Sequence, residues 1–341
     1  MENYEEIFSL TPKQIDELFA MEGIGAKLFS NDYLEWARGE AEWYASKGVK
    51  IIDKNSPSYP PLLKECSDAP IVLYFKGNAN LTNPKIISVV GTRIPSDAGL
   101  SACAEVIESL SKGGFNPLIV SGLAVGIDVA AHRNALKNSL ESVAVLPCGI
   151  DQIYPSQNRM VAVKMVENGG ILTEFPRGVN PLKHNFLQRN RIIAGISSAL
   201  VVIETRISGG SMSTTQYANS YSRDIFALPG RIGDVNSYGC NYLISKNIAN
   251  LYLNSSTIPS TLGWSAEHSD ISLSPDLFSI PDGIKEKILL TLTSLKKCDA
   301  EDIVQATGLD VETVCSALLE LELSFKVKRS PLTNEYMLYR K

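Results

Sequence analysis

The middle of the chain carries seven short apolar segments, and their spacing leaves room for a helix between most neighbouring pairs. They cover residues 71–75, 86–90, 117–120, 143–146, 170–172, 200–203 and 225–228. Buried runs rich in β-branched residues that alternate with helices are typical of a parallel sheet covered on both faces. The sequence therefore predicts an α/β fold with a doubly wound, mostly parallel, Rossmann-like sheet.

The segment before this sheet has a helical pattern. Thr11 and Pro12 are residue types typical of an N-cap and a first helical position, and a second helical pattern covers residues 33–47. Residues 1–66 are therefore predicted to form a small helical N-terminal domain, SAM-like or helix-hairpin-helix-like. The Gly23–Gly25 turn fits a contact to a DNA phosphate, although a single turn of this kind more often only joins two helices.

The chain after the sheet changes character twice. Residues 254–281 are rich in Ser, Thr and Pro and predict a linker between the Rossmann-like domain, residues 67–253, and a C-terminal domain, residues 282–341. The last part has three helical patterns followed by two apolar-polar segments, the order of a winged helix-turn-helix. Its predicted recognition helix, residues 311–323, carries three glutamates and no Lys or Arg, which favours a protein contact or a vestigial role over duplex DNA.

Composition excludes several kinds of site. The six cysteines are scattered without a CxxC pair and the chain has only three histidines, so we expect no metal and no disulfide, only small buried side chains. No apolar run approaches the length of a membrane span and the acidic start does not resemble a signal peptide, so we expect a cytoplasmic protein without membrane contact. The net charge of −5 means that nucleic-acid binding requires cations gathered in one groove.

Four loops at the carboxyl ends of predicted strands carry the candidate binding residues, because these ends form the ligand crevice of an open α/β sheet. The first and fourth loops offer backbone amides, hydroxyls and one guanidinium to a phosphate. Their candidate residues are Gly91, Thr92, Arg93, Gly209, Gly210 and Ser211.

The second loop is a glycine-rich turn from strand to helix, where amides and the helix dipole favour an anion. Its candidates are Ser121, Gly122 and Gly126. The turn lacks the Lys-Ser/Thr pair of a phosphate-binding P-loop, which makes the signal weak on its own. Asp128 and His132, which follow it, are interpreted as capping and packing residues.

The third loop is the strongest single segment. Residues 177–193 hold four Lys or Arg and no Asp or Glu, with an aromatic residue among the cations. Cations that follow phosphates beside an aromatic that stacks on a base are typical of single-stranded nucleic-acid binding. The candidates here are Lys183, Phe186, Arg189, Asn190 and Arg191.

Taken in order, these segments resemble the DNA-processing protein A family (DprA, also called Smf). The resemblance is carried by VVGTR, SGLAVGID, AVLPCGIDQIYP, GGILTEFP, FLQRNRIIAGIS, VVIE and ALPG, and is dense from residue 59 to residue 248. It implies an extended Rossmann fold that binds single-stranded DNA in a positively lined pocket. It also implies a homodimer that protects incoming DNA during natural transformation and loads the RecA recombinase. It implies no catalytic residue and no cofactor.

Residue by residue, the resemblance makes Arg93 the phosphate anchor, Lys183 the second cation and Phe186 the stacking aromatic. The glycine turns would supply backbone contacts, and the triplet at 189–191 would have a structural role as well as lining the pocket. The dimer and recombinase surface would lie at about residues 238–251, where the sequence at 246–249 departs from the family pattern.

Two other classes of function remain open at this point. An enzyme that cleaves nucleotides to a base and a ribose phosphate would use Glu174, Glu204 and the turn at 208–214, although that turn lacks the glutamate such enzymes carry. A pure adaptor that has lost DNA binding is the other class. Arg93 and Lys183 argue against it, because they would then have no charge to neutralise.

Overall fold

The computed structural model describes residues 7, 9–264, 282–323, 326–330 and 335–338. The chain divides into two compact units, Met1–Glu267 and His268–Lys341. The domain boundaries given above remain predictions. The first part of the expected linker, however, contains a short helix at Thr257–Leu262 whose Ile258 is buried against the core of the first unit. Residues 265–281 of that linker lie outside the described residues.

The first unit is built on one nine-stranded sheet. Its strands are β1 Lys50–Asp53, β2 Val72–Gly77, β3 Ile86–Val90, β4 Leu118–Ser121, β5 Ser142–Val145, β6 Gly169–Thr173, β7 Ala199–Val202, β8 Asp224–Ala227 and β9 Asn250–Leu251. They lie in the order β1-β2-β6-β5-β4-β3-β7-β8-β9. All pairs from β6 to β9 are parallel, whereas β2 is antiparallel to both of its neighbours. The prediction of a doubly wound, mostly parallel sheet is confirmed.

Helices cover both faces of this sheet. In chain order they are α1 Pro12–Phe19, α2 Ile24–Leu28, α3 Asn31–Ser46, α4 Pro61–Lys64, α5 Asp97–Lys112, α6 Ile127–Lys137, α7 Arg159–Glu167, α8 Lys183–Ile196, α9 Gly210–Ser220, α10 Tyr238–Ser245 and α11 Thr257–Leu262. Alternate residues of β3 point to opposite faces, so Ile86 and Val90 join one core while Ile87 and Val89 join the other. The sheet is therefore buried on both sides.

The path of the chain places a crevice beside β3. From β3 it moves outward through β4 and β5 to β6, and it then crosses back through α8 to β7 and continues outward on the other side. The loops that follow β3 and β7 consequently leave the sheet in opposite directions. Such a switch point is where open α/β sheets bind ligands.

The N-terminal segment is helical except for one strand. Thr11 caps α1 in a capping box with Gln14, as the sequence predicts. The Asp16 carboxylate accepts the amide N–H groups of Gly23 (N–Oδ2 2.9 Å) and Gly25 (N–Oδ1 2.7 Å), so an internal carboxylate occupies the turn considered for a DNA phosphate. The expectation of helices throughout the first sixty-odd residues was wrong at β1, an edge strand.

Helix α3 is attached to the sheet by aromatic contacts. The ring of Tyr44 stacks on Tyr74 of β2 with centroids 4.6 Å apart. The Tyr44 hydroxyl accepts the backbone N–H of Arg177 at 2.7 Å, and burial raises the pKa of Tyr44 to about 12. The Arg177 guanidinium lies over Trp43, 4.7 Å from its ring centroid, and pairs with Glu40. The loop that begins with Arg177 is therefore fixed to α3.

The second unit contains three helices and a hairpin. They are α12 Asp282–Leu295, α13 Ala300–Thr307, α14 Val311–Leu323 and the antiparallel pair β10 Val327–Arg329 and β11 Tyr336–Leu338. Ile288, Leu292 and Leu318 are buried in its core. This confirms the winged-helix prediction, although residues 331–334, at the expected tip of the wing, lie outside the described residues. Among the described helices, none is long and apolar enough to cross a membrane.

Candidate nucleic-acid interface

A cavity of about 640 Å³ lies at the switch point between β3 and β7. Its walls come from the loops after β3, β4 and β7, from the loop before α7, from α8 and from the first turns of α9. Ten of the fourteen candidate residues line it: Gly91, Thr92, Arg93, Lys183, Phe186, Arg189, Asn190, Gly209, Gly210 and Ser211. The second loop reaches the cavity through Ala124 and Asp128, so the structure brings all four candidate loops together in one place.

Three cations line the cavity with exposed side chains, and no ion pair holds any of them within the described part of the chain. They are Arg93, Lys183 and Arg206. Arg206 was missed in the sequence because a Ser/Gly turn, not a basic run, surrounds it. Its Nε donates to Asn236 Oδ1 at 3.4 Å, which holds the side chain beside the cavity. The site has positive charge available for an anionic ligand.

Two helix N-termini open onto the same cavity. Helix α8 follows Leu182 and α9 follows Gly209, and neither N-cap has a side-chain hydrogen bond to its helix. The first amides of a helix have no partner within the helix, and the helix dipole makes this end favourable for an anion. The Thr205 hydroxyl bonds the Arg206 carbonyl (3.0 Å) and accepts from Ser211 (2.6 Å), which fixes the turn into α9.

Aromatic side chains complete the lining. Phe186 is half-buried, and the Arg93 guanidinium carbon lies 5.7 Å from its ring centroid. Tyr154, from the loop before α7, also lines the cavity, with its ring centroid 5.6 Å from that of Phe186. Sequence reasoning missed Tyr154, although it lies in the AVLPCGIDQIYP segment that carries the family resemblance.

Four candidate residues do not line the cavity. Ser121 is fully buried, and its hydroxyl donates to the Val89 carbonyl at 2.6 Å. Gly122 packs against the side chains of Arg189 and Asp128. These two residues support the sheet, and their expected place at a binding surface is corrected.

Gly126 also has a structural role. Its φ of +86° favours glycine, and a Cβ there would lie 2.3 Å from the Thr92 carbonyl oxygen. That same oxygen accepts the N–H of Ile127, the first residue of α6, at 3.1 Å. The loop after β3 thus takes up the first amide of α6, so this amide is not available to a phosphate.

Arg191 is the fourth candidate outside the cavity. Its Nη1 donates to the Asp68 carbonyl at 2.6 Å, and its Nη2 pairs with Glu174. The guanidinium is therefore occupied on another side of α8, where it ties the helix to the loop before β2.

Arg189 lines the cavity, but it is mainly a buried structural residue. The residue is only 4% exposed, and its Nη1 donates to the carbonyls of Gly122 and Val145, each at 2.6 Å. Burial lowers the pKa of Arg189 to about 10, against the opposing effect of Asp128. Burial likewise raises the pKa of Asp128.

Asn190 donates to Ser213 at 2.9 Å and steadies the start of α9.

His132 lies on α6 away from the cavity and packs in the core. Its Nδ1 is 2.8 Å from the Ser142 hydroxyl, while the buried Nε2 has no partner in the described chain. Burial foremost lowers the pKa of His132 to about 3. An exposed histidine takes up a proton at a higher pH than this. The ring of His132 is therefore still neutral in the folded protein where an exposed histidine is becoming charged.

This has a measurable effect on stability. Between pH 6.5 and 3 the unfolded chain binds a proton at this residue and the folded chain does not, so the free energy of unfolding falls as the pH falls. We expect His132 to contribute a loss of about 2 kcal/mol between pH 7 and pH 5. Urea unfolding followed by tryptophan fluorescence checks this: His132→Gln should show a flatter pH dependence, and an equal slope in both proteins would contradict it.

The carboxylates required for nucleotide cleavage are engaged elsewhere. Glu204 accepts the Ser96 amide N–H at 3.0 Å and the Ser96 hydroxyl, which secures the start of α5. Glu174 is paired with Arg191. Neither residue lines the cavity, so the geometry does not assemble the set that this reaction needs.

Within the described residues there is no group of three or more His, Cys, Asp or Glu placed to hold a metal ion. The six cysteines are free thiols. Five of them are buried, as the sequence predicts, and Cys315 on α14 is exposed, which corrects the prediction for that residue.

The chain is similar to a family of known proteins. The family model described as DNA recombination-mediator protein A matches residues 50–263, and the model of the DprA winged helix domain matches residues 280–331. Protein Smf of Escherichia coli is 34% identical over 288 residues, covering 83% of this chain and 76% of that protein. DNA processing protein DprA of Streptococcus pneumoniae is 40% identical over 188 residues, covering 55% of this chain.

The chain spans less than two thirds of the length of some of these relatives: 66% of the Streptococcus protein and 56% of Protein Smf from Synechocystis.

Two solved structures are also similar. The X-ray structure of DprA from Streptococcus pneumoniae has a TM-score of 0.60 and 33% identity, and covers 73% of this chain and 90% of that one. DNA processing protein A from Helicobacter pylori, whose single-stranded DNA binding mode was studied, has a TM-score of 0.56 and 31% identity, over 63% and 95%.

The matched segment includes every strand of the sheet and every loop of the cavity. Because a family model covers well over half of the chain and the winged helix of the same family follows it, the fold and the sequence agree on one assignment. The chain belongs to the DNA recombination-mediator protein A family, also known as DprA or Smf.

Proposed function

We propose that this protein binds single-stranded DNA, without preference for base sequence, in the cavity between β3 and β7. The observation that carries the proposal is the convergence of Arg93, Lys183 and Arg206 on one cavity that also holds two aromatic rings. Cations beside aromatic rings suit an unpaired strand, because the phosphates meet charge and the exposed bases meet a flat apolar surface. The Helicobacter relative, described for its single-stranded DNA binding mode, supports the same ligand.

Charge distribution supports a selective site. The protein as a whole carries a net charge of −5, so its total charge does not attract a polyanion. Binding then depends on the few cations of the cavity. Phosphate contacts and stacking carry no base sequence, which makes binding indifferent to sequence.

We extend the proposal to the role that the family implies. The protein protects single-stranded DNA and loads the RecA recombinase onto it during recombination and natural transformation, and it acts in the cytoplasm. It does so as a homodimer, with residues 238–251 as the dimer and recombinase surface, and without catalysis. Sedimentation at micromolar concentration tests the dimer, and RecA filament formation on a strand already covered by a single-strand-binding protein tests the loading.

A titration tests DNA binding directly. The full chain is titrated into labelled oligo-dT and into a duplex of the same length, each at 50 mM and 200 mM salt. We expect tighter binding to the single strand at both salt concentrations, and weaker binding at the higher one because phosphate contacts release counterions. Equal affinity for the duplex, or no binding to either, would remove the proposal and leave only the fold.

A further inference from the structure

The most exposed aromatic ring of the cavity is Tyr154. Its residue is 45% exposed, whereas Phe186 is half-buried beside it. The hydroxyl of Tyr154 has no hydrogen bond within the described residues, and the side chain is not part of the hydrophobic core described there. A large ring left open to solvent at the wall of a cationic cavity is a surface on which a planar ligand can stack.

The backbone around Tyr154 is held firmly on both sides. Before it, the Gly149 N–H donates to the Val179 carbonyl at 2.9 Å, and Gln152 N–H donates to the Gly149 carbonyl at 3.1 Å. After it, the buried side-chain amide of Asn158 donates to the Leu123 carbonyl at 2.8 Å. The open ring is thus presented from a fixed loop, which lowers the entropy that binding must remove.

The relative orientation of the two rings limits how they can bind. The planes of Tyr154 and Phe186 meet at 76°, with centroids 5.6 Å apart. A flat base that lies against one ring therefore stands nearly edge-on to the other and cannot stack on both. The two rings must receive different bases, and those bases must be unstacked from each other.

We propose that Tyr154 is a second base-stacking residue, which takes a nucleobase next to the one held at Phe186. This rests on the proposed function, since it concerns the same cavity and the same strand. Phosphates bind at Arg93, Lys183 and Arg206, while Tyr154 responds only to the presence of a base. The strand is consequently bent at this point, with successive bases turned apart.

The experiment separates base contacts from phosphate contacts. The full chain is titrated with labelled oligo-dT and with an oligonucleotide of the same length made of abasic residues. We expect Tyr154→Ala to weaken binding of oligo-dT about 5- to 150-fold, the range that one base–aromatic stack contributes, and to leave binding of the abasic strand unchanged. Tyr154→Phe should bind like the wild type, and Tyr154→Leu like the alanine variant.

Tyr33→Ala is the matched control, since Tyr33 is 51% exposed on α3 and does not line the cavity. It should bind both strands as the wild type does. An equal loss on both strands in Tyr154→Ala, or a loss in Tyr154→Phe as large as in the alanine variant, would overturn stacking at Tyr154. So would unchanged binding of oligo-dT. If the wild type itself does not prefer the single strand, the proposed function fails first, and the two failures are distinguishable.

Discussion

Replacing Arg93 and Lys183 together by alanine is expected to lower the affinity for oligo-dT by more than about a hundredfold. Each of these exposed cations lines the cavity without an ion pair in the described chain, so its charge is available for a phosphate. A hydrogen bond to a charged group contributes about 1.5–3 kcal/mol, and two such bonds account for the expected decrease in affinity. Both side chains are exposed, so the stability of the fold should hardly change.

The salt dependence of binding gives an independent measure. For single strands, the plot of log K against log salt becomes less steep by about 0.7 for each phosphate that the protein no longer neutralises. The plot for the double variant should therefore be less steep by about 1.4. Arg133→Ala/Lys137→Ala is the matched control, because it removes the same two types of charge from exposed positions on α6 outside the cavity. If the control weakens binding as much, attraction acts over the whole surface and the cavity is not the site.

Arg189→Met should lower the free energy of unfolding by about 3–5 kcal/mol, the cost of removing one member of a buried charged cluster. The substitution leaves the carbonyls of Gly122 and Val145 without their shared donor and leaves Asp128 without its buried neighbour. Those carbonyls lie just after β4 and at the end of β5, so the loops beside the cavity lose a common support.

Tryptophan fluorescence during urea unfolding is well suited to this measurement. All three tryptophans, at 36, 43 and 264, belong to the first unit, so the signal reports on the sheet and not on the winged helix. Arg133→Met, at an exposed position, should change stability by less than about 0.5 kcal/mol. If Arg189→Met is as stable as the wild type but deficient in DNA binding, Arg189 is a ligand contact and not a structural residue.

The apolar segments predicted the sheet well because burial on both faces leaves a clear signal in the sequence. Each of the seven segments is a strand, displaced by no more than two residues. The strands that were missed lie at the edges. In β1 only Ile52 is buried, and β9 is two residues long with both residues exposed, so neither produces an apolar run.

The basic segment 177–193 illustrates what composition leaves undetermined. Once this segment becomes helix α8, residues three or seven positions apart share a face and residues two apart do not. Lys183, Phe186 and Asn190 accordingly line the cavity, whereas Arg191 points to Glu174. A count of cations in the segment treats Lys183 and Arg191 alike, and the helical phase separates the residue that lines the cavity from the one that is paired elsewhere.

Glycine-rich turns are ambiguous for a different reason. The turns before α6 and α9 look alike in sequence, yet the Thr92 carbonyl occupies the first amide of α6 while α9 opens onto the cavity. The occupant comes from a loop more than thirty residues earlier in the chain. Local sequence does not contain that information.

The attachment of Arg177 to α3 bears on how such chains can be divided or recombined. The matched family segment begins at residue 50, yet Glu40, Trp43 and Tyr44 lie before it and hold the loop that leads to Lys183. A fragment cut at residue 50 would remove Glu40, the ion-pair partner of this arginine, and Trp43, the ring against which its guanidinium lies. Exchange of N-terminal helices between relatives would therefore succeed only where both sides of this contact are inherited together.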